Sequence, residues 1–111
     1  MKYEDIPIEI NILIDRLDAL IDIMFVSTQE VIDLGNVNYE LNIVLDKIDM
    51  ITESMEDSNE KSMLESAKYN VTYATLDIMD NVNIVDKINR LRLAKNTMMT
   101  IKTNLYNDEL D

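Results

Sequence analysis

Apolar residues recur along this chain at alternating steps of three and four. From Glu9 to Met24 they fall at Ile10, Leu13, Leu17, Leu20 and Met24, and from Glu40 to Met55 at Leu41, Val44, Ile48, Ile51 and Met55. The second set repeats the first at an offset of 31 residues. Leu64, Ala67, Val71, Ala74 and Ile78 keep the same rhythm. A partial third copy of the motif appears at "NIVDKINRL", Asn83 to Leu91, whose DKIN answers the DKID of Asp46 to Asp49. Such steps place side chains on one seam of an α-helix packed at a shallow angle against its neighbours. Each copy reads as one stave of a bundle.

Punctuation sets the expected boundaries. The first helix should open near Asp5, with Pro7 tolerated in its first turn, and run to about Leu34. Gly35-Asn36 should close it, glycine supplying a left-handed residue. The second helix is expected from about Asn38 to Glu56, followed by the polar turn "EDSNEKS" with Ser58 or Asn59 as cap. The third should run from 59 to 80 and the fourth from 83 to 106, with a break at Asp80 to Asn83 where the register slips and where Asn83 and Asp86 resemble a cap. The competing reading joins the third and fourth into one helix of about 70 Å, a three-helix arrangement with half its seam unpaired in a monomer. The break is favoured, and the fold class that follows is all-α. Residues 1–111 then form a single domain, an antiparallel up-down-up-down four-helix bundle. One Gly and one Pro in the whole chain leave little turn chemistry for a sheet, which supports the same class.

Charge sharpens this picture. Residues 1–58 carry 14 acids against 3 bases, whereas residues 83–105 carry 5 bases against 1 acid. In the bundle the fourth helix lies beside the first and third, which brings Lys87, Arg90, Arg92, Lys95 and Lys102 within reach of acidic stripes. Exposed pairs of that kind contribute about 0–1 kcal/mol each, so they only soften the self-repulsion of a chain with net charge −12. The same charge opposes direct binding to nucleic acid or to anionic membrane.

Composition removes several kinds of chemistry. With no Cys there is no thiolate or disulfide, and with no His the commonest metal ligand and general base are missing. Ser, Thr and Lys have no base to activate them, and no Gly-rich loop cradles phosphate. No apolar run approaches the roughly 18 residues that span a bilayer, and no secretory signal pattern is seen. A cytoplasmic protein is expected, of a Gly-poor, Asn-rich composition common in low-GC bacteria and their phages.

Three groups of residues are candidates for function. Asp15, Asp18 and Asp22 fall on Asp46, Asp49 and Glu53 in the duplication, opposite each apolar seam. Carboxylates one turn apart, roughly 5–6 Å, approach the phosphate spacing of a nucleic-acid strand, so a DNA mimic that fills a partner's basic groove is one reading. An ordinary solvated helix face is the other. Tyr69 and Tyr73, with Leu76 and Met79, form an outer strip suited to protein contact or to covering a neighbouring helix. "ESME" (Glu53 to Glu56) and "DIMD" (Asp77 to Asp80) resemble the E-x-x-E and E-x-x-D pattern of all-α nucleotide pyrophosphohydrolases of the MazG type. That resemblance, over four residues, implies a Mg²⁺-dependent hydrolase. With Leu41, Ile48 and Met55 on the seam, however, Glu53 and Glu56 project outward, as a solvated face requires.

"DIMFVS", Asp22 to Ser27, is apolar around a full turn, which expects Phe25 and Val26 to be buried in the bundle or covered by a second subunit. The leading expectation is a non-enzymatic acidic binding protein, without cofactor or metal, that docks onto a basic-surfaced protein as an inhibitor of the antitoxin, immunity or anti-defence kind. The hydrolase and a structural oligomer subunit are the alternatives. A homodimer would use Phe25 and Val26 or the Tyr69–Tyr73 strip.

Overall fold

The computed structural model describes residues 3–78 and 83–110. A 3₁₀ turn at Tyr3–Asp5 leads into α1 (Ile6–Val26), followed by α2 (Gly35–Ser54), α3 (Asn59–Thr75) and α4 (Ile84–Leu110). The helices pack in a ring, α1 on α2, α2 on α3, α3 on α4 and α4 back on α1. Side-chain pairs fix the directions. Asp18 accepts from Lys95 at 2.8 Å and Asn11 accepts from Lys102 at 2.9 Å, so seven residues back along α1 is seven residues on along α4. Arg16 reaches Glu40 from α1 to α2, and Arg90 reaches Asn70 from α4 to α3. The result is the four-helix antiparallel bundle, a rod of 49 × 20 × 18 Å.

The duplicated seams form its core. Ile10, Leu13, Leu17 and Met24 of α1 and Leu41, Val44 and Ile48 of α2 have no exposed surface. The α3 seam from Leu64 to Ile78 is buried throughout, and Met55 is partly buried against the core. The third copy is in phase with the others: Ile84, Ile88 and Leu91 are buried as Val44, Ile48 and Ile51 are. Ala67, Ala74 and Ala94 let α3 and α4 approach closely, and Ile6, Ile14 and Ile21 widen the buried face of α1. Among the described residues no buried side-chain nitrogen or oxygen lacks a hydrogen-bond partner.

Several boundaries differ from expectation, each for a local reason. The first helix stops at Val26, eight residues short of Leu34. The Ser27 and Thr28 hydroxyls donate to the carbonyls of Met24 and Phe25, at 2.5 and 2.7 Å, and take over acceptors that a continuing helix would use. Gly35 does not close that helix and is not left-handed; it opens α2, its N–H donating to the Asp33 carboxylate at 2.8 Å. The buried Leu34 and Val37 pin this entry to the core. α3 ends at Thr75, not at 80, because Leu76 turns extended and Asp77 adopts φ 53°. That break rules out the continuous third-plus-fourth helix. Residues 79–82, on which the expected break at Asp80 fell, lie outside the described residues, and Asn83 at φ 55° lets its carbonyl accept the first bond of α4, from Lys87. α4 then runs past Tyr106 to Leu110.

Of the two residues expected to cap α3, Ser58 does so and Asn59 is its first residue. Ser58 sits extended and its hydroxyl accepts the Lys61 N–H at 3.1 Å. Ser58→Ala should destabilise the protein by about 0.5–2 kcal/mol, read as a lower melting temperature with unchanged helix content.

Candidate functional site

The ring order decides where the candidate residues meet. In a four-membered ring the α1–α4 and α2–α3 edges are opposite sides of the bundle. Asp18 leans onto α4 through Lys95, whereas Asp49 leans onto α3, accepting from Lys68 at 2.5 Å. The two acidic stripes, superimposable in sequence, therefore point to opposite flanks. Asp15, Asp18 and Asp22 are exposed on one side; Asp46 and Glu53 are exposed, and Asp49 half-buried, on the other. No single phosphate-like ladder results.

The tyrosine strip divides as well. Tyr73 is drawn onto α4: its hydroxyl donates to Asp86 and its ring lies under the Arg90 guanidinium, 4.8 Å from the centroid. Tyr69 is left to solvent, 79% exposed, and Leu76 is exposed beyond the end of α3. Met79 lies outside the described residues. The hydrogen bond to Asp86, followed by burial and by the Asp86 charge, holds the Tyr73 phenol above its ordinary value, while Arg90 opposes the shift. Because the folded chain holds this proton more tightly, the contact is complete below pH about 10 and is lost as pH rises through the raised folded value. In an ultraviolet alkaline titration, Tyr73→Phe should remove a phenol that ionises above the ordinary tyrosine value.

What the structure does bring together is Asp49 of the α2 stripe and Lys68, the residue before Tyr69. Lys68, which bonds Asp49 across the α2–α3 edge, is the neighbour of Tyr69 and stands three residues from Glu65. Its ammonium is held above the ordinary value mainly by the Asp49 hydrogen bond, with Tyr69 and Glu65 adding in the same direction. Asp46 and Glu53, one heptad apart, flank Asp49 on α2. The carboxylates continue around one end of the bundle. There Glu56, Asp57 and Glu60 rim an open groove of about 430 Å³ whose apolar lining is Met55 and Leu105. Sequence reading kept Tyr69 and the α2 carboxylates apart because their link, the Asp49–Lys68 bond beside Tyr69, depends on which helices pair.

The carboxylates of "ESME" and "DIMD" are not brought together. Glu53 lies in the last turn of α2 and Glu56 in the turn before α3, whereas Asp77 lies just past the far end of that 17-residue helix, about 26 Å along it. Asp80 lies outside the described residues. Among the described residues no group of three or more His, Cys, Asp or Glu is placed to hold a metal ion, and no helix is long and apolar enough to cross a membrane. Phe25 and Val26, expected to be buried in the bundle or covered by a second subunit, are exposed on the single chain, where Met24 and Ser27 take the buried positions of that turn. No protein-family model, curated protein or solved structure matches this chain.

Proposed function

We propose that this chain is a non-enzymatic binding protein that docks through its α2–α3 face onto a basic surface of another protein, acting as an inhibitor of that partner. The observation that carries the reading is the setting of Tyr69, an exposed aromatic on a face with Asp46, Asp49, Glu53 and Glu65 and with Lys68 as the cation among them. An aromatic anchor in a charged rim is the composition of an energetic centre in a protein interface, and Tyr also accepts an Arg or Lys against its ring. The carboxylates supply steering and exclude anionic partners.

Capture from lysate with the immobilised wild-type chain, set against a chain carrying Asp46→Asn, Glu53→Gln, Glu65→Gln and Tyr69→Ala, tests the reading. The partner should be a basic protein retained by the first and lost from the second. Equal retention by both would place the contact elsewhere and end this proposal.

A further inference from the structure

The α1–α4 edge carries two exposed heptad stripes side by side. On α1, Ile8, Asp15 and Asp22 follow at steps of seven, three residues from the Asn11 and Asp18 positions that touch α4. On α4, Val85, Arg92, Met99 and Tyr106 do the same, three residues from Lys95 and Lys102. All seven are exposed, the four apolar ones at between 46% and 61%. Phe25 continues the Asn11–Asp18 stripe by one more step of seven and is exposed too. Of fourteen large hydrophobic side chains exposed among the described residues, nine belong to α1 or α4. Five of these, Ile8, Phe25, Val85, Met99 and Tyr106, lie on the stripes just named, and the stripes of α1 and α4 are opposite in sign.

We propose that this face binds a second copy of the chain about a twofold axis parallel to the helices, α1 of each copy lying on α4 of the other. A two-helix face can meet itself in two isologous ways. An axis across the helices lays α1 on α1 and brings Asp15 and Asp22 against the same carboxylates of the partner. An axis along the helices lays α1 on the partner's α4 at equal height. The Asp18–Lys95 and Asn11–Lys102 contacts show that residues whose numbers add to about 113 are level. Ile8 then meets the partner's Tyr106, Asp15 the partner's Met99 and Asp22 the partner's Arg92, each contact made twice. Charge complementarity selects this second axis. The dimer leaves the α2–α3 face uncovered, so it does not compete with the docking proposed above.

Sedimentation across micromolar and higher concentrations should give twice the 12.9 kDa of one chain. Met99→Asp and Tyr106→Asp, at exposed positions, should yield folded monomers with unchanged circular dichroism. Asp22→Arg and Arg92→Asp should each raise the dimer dissociation constant by about tenfold or more, and combining them should restore it, because the pair is exchanged intact. A monomeric wild type would overturn the proposal. So would a dimer indifferent to Met99→Asp, a dimer dissolved by Tyr69→Asp instead, or a double variant no tighter than the single ones.

Discussion

Leu17→Asp, or Ile48→Asp, should abolish the folded state. Both side chains are fully buried at the middle of their helices, facing the core where the duplicated seams meet. A carboxylate there is set among apolar side chains, and burying an unpaired polar or charged group costs several kcal/mol. The total stability of a domain is about 5–15 kcal/mol, so one such change removes most of it. Leu91→Asp should do the same, since the α4 copy is in phase with the other two. Ile12→Asp is the control. Ile12 lies on the outer side of α1 and its substitution should shift stability by no more than about 0.5 kcal/mol. Loss of the helical signal and of a cooperative melt in the first three variants, with both retained in the fourth, is the expected pattern. A Leu17→Asp chain that melts like wild type would refute the packing described.

The second large effect is on binding, and its two parts should separate kinetically. Neutralising Asp46, Glu53 and Glu65 should slow association with the captured partner by about tenfold at low salt. That difference should shrink at physiological salt, where screening acts over about 8 Å. Tyr69→Ala should cost about 2 kcal/mol or more, mostly as faster dissociation, with little dependence on salt. Asp15, Asp18 and Asp22 provide the contrast. They occupy the opposite edge, and Asp18 is already paired with Lys95, so changing all three to Asn should leave the complex nearly intact. If that triple change weakens binding more than the α2–α3 variants do, the docking face is α1–α4.

The sequence by itself determined the helices and their inward faces. Every residue of the α1, α2 and α3 seams is buried or partly buried, because a three-four rhythm admits only one face of a helix to a core. The Ser58 cap and the placing of α4 beside α1 and α3 were legible for equally local reasons, a hydroxyl at a turn and short connections. The end of α1 was not. A Ser-Thr pair that folds its hydroxyls back onto the helix carbonyls reads, by periodicity alone, as helix, and Gly35 drew the boundary to itself.

Only the tertiary structure decided which surfaces are shared. Asp18 and Asp49 are equivalent in the duplication, and nothing within either helix says that one leans to α4 and the other to α3. The choice depends on the neighbour that each seam meets, a property of the ring and not of the repeat. The same holds for Tyr69 and Tyr73, one turn apart on one helix: Asp86 and Arg90 arrive from α4 to take the second and leave the first in solvent. Periodicity fixes how a helix turns about its own axis, whereas a surface made by two helices exists only once they have paired.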